Sequence, residues 1–272
     1  MLTVFSRVSC VLALLIGIVA ILPSQNAYSQ HERYMGEAYF ESTMDEFQMG
    51  NYEKAIKGFK RFNEFAPYDF NGHYLLGHCL RFLGRYSEAL TLYEKALSIR
   101  SNDYDAQVYA AMMCLKTGDY DRAESHLNVA LTLIPKDIDA LAYMASVQRG
   151  QKDYTAALVT ISSVLKDDPG HIVGLIEQGR VLSASGDHEG ALKVIRHADK
   201  LSADNYRVLV AYGEILTAAG KAEEAIPKLT TAATLKAKLP DAWFELGNAY
   251  EKSGKQEMAR QYYSTVDSLN AR

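Results

Sequence analysis

The stretch Phe70–Asp103, FNGHYLLGHCLRFLGRYSEALTLYEKALSIRSND, reads as two short amphipathic helices joined by a tight turn. The first carries Leu76, Gly77 and Leu80 on one stripe. The second begins near Tyr86 and repeats apolar or small residues at Ala89, Leu90, Tyr93, Ala96 and Leu97, which is helical spacing. Gly77 and Ala89 let two backbones approach closely, and Gly84 in the turn supplies the positive φ that a tight helix end favours. A single hairpin of this kind cannot bury both of its faces. Repetition of the hairpin solves that problem, and a period near 34 residues is its sign.

The whole chain obeys that period without an insertion, in seven units: 36–69, 70–103, 104–137, 138–171, 172–205, 206–239 and 240–272. One column of the second helix is alanine throughout: Ala55, Ala89, Ala123, Ala157, Ala191, Ala225 and Ala259. The inter-helix turn carries Gly50, Gly84, Gly118, Gly186, Gly220 and Gly254, with Lys152 as the exception. The facing column of the first helix is small throughout: Thr43, Gly77, Ala111, Ala145, Gly179, Gly213 and Gly247.

At these positions the chain resembles the tetratricopeptide repeat family, most clearly in Trp243, Leu246, Gly247, Tyr250, Ala259, Tyr263 and Val266. The family's inter-repeat proline is present at Pro67, Pro135 and Pro169, whereas Ser101, Ala203 and Ala237 depart from it. The first repeat has Ser42 and Thr43 where the family usually has Leu and Gly, and Pro227 early in a second helix implies at most a small bend. The resemblance implies an all-α, right-handed superhelical solenoid whose first helices line a concave groove. Arg260 and Asp267 replace the apolar residues that would bury against a further repeat, as a terminal unit requires.

Residues 1–29 stand apart: one charge at Arg7, an apolar run Val8–Leu22, then Pro23 and a polar stretch with Ala27-Tyr28-Ser29 before Gln30. This is the pattern of a secretory signal cleaved before Gln30. Fifteen helical residues span roughly 22 Å, short of a hydrocarbon core of roughly 30 Å. The expectation is an exported, periplasmic or secreted chain with no stable membrane insertion after cleavage; an uncleaved anchor borrowing Val4 and Phe5 is the alternative. Cys10 opens the apolar run instead of ending it, a poor place for lipid attachment. Residues 30–35 form a short lead-in to the repeats.

The composition of the full chain, 48% hydrophobic and 23% charged, is ordinary for a globular protein, and a net charge of −4 gives no basic footprint for nucleic acid. No Gly-rich phosphate loop and no paired histidines at helical spacing support an enzyme, and no cofactor is expected. Met44, His78 and Met112 share one column, and thioether plus imidazole suits copper(I). Packed helices about 8–10 Å apart would set these side chains too far from a common ion, so no metal is expected. The same separation exceeds the Cα distance of about 4.4–6.8 Å that a disulfide needs, so Cys79 and Cys114 read as buried free thiols.

The expected function is an exported scaffold that holds a peptide or protein segment in its groove as a monomer. The family's periplasmic members imply pilus, secretion or outer-membrane assemblies; self-association through the outer face or the open first repeat is the alternative. The groove stripe adjoining the core stripe reads Phe40, Met44, Phe47, then Tyr74, His78, Arg81, then Val108, Met112, Leu115 in the first three units. In the last three it reads Ile176, Arg180, Ser183, Val210, Glu214, Thr217, Phe244, Asn248 and Glu251. An apolar partner segment is therefore expected at Phe40, Met44, Phe47, Tyr74, His78, Val108, Met112 and Leu115. The carboxylate-binding Lys, Arg and Asn of the family's co-chaperones are missing, since Phe40, Met44, Leu75, Asp105 and Tyr109 stand there.

Overall fold

The computed structural model describes residues 35–270. The N-terminal apolar run, its expected cleavage before Gln30, and Cys10 lie outside the described residues. Residues 35–48 are helical (α1). Thirteen further helices follow: α2 (Tyr52–Phe65), α3 (Phe70–Phe82), α4 (Tyr86–Ile99), α5 (Tyr104–Thr117), α6 (Tyr120–Leu133) and α7 (Ile138–Gly150). After these come α8 (Tyr154–Asp167), α9 (Ile172–Ala184), α10 (His188–Leu201), α11 (Tyr206–Ala218), α12 (Ala222–Leu235), α13 (Pro240–Lys252) and α14 (Gln256–Asn270). The result is an all-α array of helical hairpins, and α4, α6, α8, α10 and α12 start at the constant spacing that the sequence period demands. Pro227 lies inside an unbroken α12.

Two compact units divide the chain, one up to Leu76 and one from Gly77 onward. In the first unit, α1 packs on α2 around Phe59 and Phe62. The departure at Thr43 is matched by its partner helix: Thr43 is buried, and a Cβ on Gly58 would overlap its side chain. The small residue has moved from α1 to α2, so the crossing stays tight. The Thr43 hydroxyl donates to Tyr39 O at 2.6 Å, which lets a polar side chain be buried there.

In the second unit each second helix packs on its own first helix and on the next one, and the first helices pack in series: α5 on α7, α7 on α9, α9 on α11, α11 on α13. The alanine column lies at these crossings and is sealed, from Ala89 at 0% exposure to Ala259 at 2%. Helix starts are fixed by polar side chains that accept from the first-turn amides, as Asp103, Asp119, Asp137, Asp153, Asp187 and Asn205 do. His171 plays the same part at α9: its Nδ1 accepts from Gly174 N at 3.2 Å, which leaves the proton on Nε2, 3.2 Å from Asp139. At the far end α14 buries Ala259 and leaves Arg260 and Asp267 exposed. Among the described residues no helix is long and apolar enough to cross a membrane.

Candidate functional site

First helices carry the candidate side chains. In the first unit Phe40, Met44 and Phe47 follow one stripe of α1, each half-buried. The Phe40 ring rests on Phe62 (5.0 Å between centroids) and Phe59 (5.9 Å). Phe47 meets Phe59 and Tyr52 edge-on, at 6.2 and 5.9 Å. Both rings therefore grip α2 with one face, and Met44 lies one helical turn from each. Tyr74, half-buried on α3, stacks on Phe70 at 5.2 Å.

In the second unit the four remaining candidates separate into packing and surface positions. His78 is 8% exposed, held edge-on between Tyr109 (4.5 Å) and Tyr93 (5.5 Å). Burial, and then the nearby Arg81 charge, lower its pKa to about 3, so the imidazole is neutral and its Nδ1 accepts from Arg81 Nη2 at 3.3 Å. Arg81 in turn lies over the rings of Phe82 (4.2 Å) and Tyr109 (5.1 Å). Val108 is buried as well, because this position of α5 faces the neighbouring first helix, as Ile176 and Val210 do in later repeats. His78 and Val108 thus brace the array and offer little surface. Met112 and Leu115 remain half-buried and available.

The later first helices bear a chain of ion pairs. Arg149 Nε donates to Glu177 Oε2 at 3.1 Å; Arg180 Nη1 donates to Glu177 Oε1 and Arg180 Nε to Glu214 Oε2, both at 2.9 Å. These contacts tie α7, α9 and α11 in series. Glu177 is almost wholly buried, which opposes its charge, but Arg149 and Arg180 outweigh burial and hold its pKa at about 2. Glu245 on α13 has the opposite fate: burial first, then the Glu214 charge, push its pKa up to about 7, and Asn248 Nδ2 donates to it at 3.1 Å. Arg207 Nη1 donates to the Tyr143 hydroxyl at 3.3 Å, a link that skips a repeat. The stripe of sequence candidates missed Glu177 and Glu245, one position round the helix. A charge inside IVGLIEQGRVLSA, with arginines 28 residues before and three after it, was the available signal.

Cys79 and Cys114 are free buried thiols, and burial raises their pKa values to about 12 and about 11. Neither is poised as a nucleophile.

Family models described as tetratricopeptide repeat match residues 82–147 and 240–272, and one described as TPR repeat matches 213–254. A tetratricopeptide repeat protein from Parabacteroides merdae superposes with a TM-score of 0.61 at 16% identity, covering 86% of this chain and 93% of that one. MamA from Desulfovibrio magneticus superposes at 0.55 with 22% identity, over 61% of this chain and 94% of its own. Yeast Tom70 gives 0.55 at 17% identity, over 89% of this chain and 51% of its own. A search of curated proteins found no match. The helix pairing, the sealed alanine column and these matches agree: the chain belongs to the tetratricopeptide repeat family. The fold is that of a scaffold for protein–protein interaction, in a family that is generally non-enzymatic.

Proposed function

We propose that this chain is an exported adaptor that holds an apolar segment of a protein partner on a first-helix face near its N-terminus, that of α1 in the first unit or that of α5 in the second, within a cell-envelope assembly. The observation that carries the reading is the contrast between first-helix faces. In repeats 4–6 those faces are closed on themselves by the Arg149–Glu177–Arg180–Glu214 series. In repeats 1–3 the half-buried Phe40, Met44, Phe47, Met112 and Leu115 present apolar surface instead. Methionine side chains adapt their shape to a helix or an extended peptide, and aromatic rings add large contact area. Export rests on the apolar run Val8–Leu22 and the small residues before Gln30.

The test is capture of partners from the native envelope by the full mature chain, followed by affinity measurement with two variants. Met44→Ser with Phe47→Ser alters the first unit; Met112→Ser with Leu115→Ser alters the second. Each pair should leave the helical content intact, and at least one should weaken binding by roughly 2 kcal/mol or more, as central apolar contacts do. Unchanged affinity in both, with binding lost on changing Arg180 and Glu214, would move the site to the later repeats. Mass spectrometry of the exported chain checks cleavage before Gln30, and an intact Met1 in the membrane fraction would show an anchor.

A further inference from the structure

Within the second unit, two edges five repeats apart in the chain touch. Gly84, in the turn after α3 with φ +77°, lies so close to α13 that a Cβ on it would stand 2.5 Å from Pro240 Cδ. The Tyr86 hydroxyl donates to Asp241 Oδ2 at 3.0 Å. Lys116 Nζ, from the last turn of α5, reaches the same oxygen at 2.9 Å and lies 5.5 Å over the Tyr86 ring. Asp241 thus gathers a hydroxyl and an ammonium from repeats 2 and 3, while its place in the first turn of α13 suits a negative charge.

These three contacts differ in kind from those that hold the repeats. Between neighbouring repeats lies a continuous apolar core, running in the later half from Leu175 and Ile195 to Leu246 and Ala259. The contacts at the Asp241 junction include a charge-assisted hydrogen bond, an ion pair whose lysine side chain is 44% exposed, and a glycine–proline contact, with Tyr206 of α11 also set against Asp241. Such an ion pair is weak and screened by salt, so the junction can part while every hairpin stays folded.

We propose that Tyr86, Lys116 and Asp241 form a reversible clasp that joins the edge of repeats 2 and 3 to repeat 7. Closed, it ties the second unit back on itself; open, it parts repeats 2 and 3 from repeat 7 while each hairpin stays folded. The clasp rests on its own contacts and not on the apolar-segment reading, and its test needs no partner.

Hydrogen exchange of the full chain, read by mass spectrometry, tests it in wild type and in Asp241→Asn and Tyr86→Phe. Wild type is compared at about 0.05 M and about 1 M salt, where the screening length falls to about 3 Å. Residues 84–90, 113–119 and 240–246 should exchange faster together, by roughly tenfold, in both variants and at high salt, while the hairpin cores keep their protection. Small-angle scattering should show a larger radius of gyration in the same samples. Faster exchange in 240–246 alone would reduce Asp241 to an aid for the start of its own helix and overturn the clasp, as would no change at any of the three. If a variant fails to fold, the wild-type salt comparison decides alone.

Discussion

Lys152 shows what the inter-helix turn demands of a single residue. Its φ is +66°, and the six glycines at the equivalent position span +75° to +95°. The turn therefore requires the left-handed region in every repeat, and here a side chain bears the strain, which is about 1 kcal/mol or more for a residue with a Cβ. Lys152→Gly removes that strain but loosens the unfolded chain, which takes back part of the gain. The net expectation is a stabilisation of about 0.5–1 kcal/mol, visible as a higher urea midpoint at unchanged slope. A lower midpoint would mean that Lys152 makes a compensating contact. At this scale the sequence was most legible where one residue type answers one physical need, as with the turn glycines and the alanine column. Thr43 was legible only as a departure, because its remedy, Gly58, sits on the partner helix and outside the three telling columns.

At the scale of the helix, sequence periodicity located every hairpin but did not say which side chains stay uncovered. Val108 and His78 lie on the stripe expected to face a partner, yet the neighbouring first helix covers them. A periodic pattern records the angle of a residue round its own helix; coverage depends on the next helix, whose side chains, such as Tyr109 over His78, fill the space. The same limit hid the environment of Glu245. Its folded pKa of about 7 lies above the ordinary 4.5, so its contribution to stability is fully present below about pH 4.5 and is lost as pH rises through 7. Glu177, held at about 2, runs the other way: its contribution is present above pH 4.5 and is lost only as pH falls through 2. From pH 5 to 8 the wild type should therefore lose on the order of 1–2 kcal/mol relative to Glu245→Gln, which keeps a partner for Asn248 and carries no charge. Urea unfolding of both chains across that range provides the comparison, and parallel curves would remove Glu245 from the account.

Over the whole molecule, the 34-residue period explains how each repeat covers its neighbour but encodes nothing about pairs such as Tyr86 and Asp241, 155 positions apart. Nearest-neighbour packing also fixes what repeat 7 does for repeat 6. Repeat 7 covers the apolar side of repeat 6, where Ala233 is 1% exposed and Ile226 packs against the core, and it presents Arg260 and Asp267 to water. Ending the chain at Leu239 uncovers that side and also deletes Asp241, so the loss falls at two places: the end of the array and the junction with repeats 2 and 3. The shortened chain should aggregate or melt several degrees earlier than the full one, in keeping with the need of repeat arrays for a polar terminal unit. Adding Asp241→Asn to the full chain separates the two contributions, because it opens the junction and keeps the cover. If the shortened chain melts no earlier than that variant, the cover of repeat 6 by repeat 7 contributes little to stability.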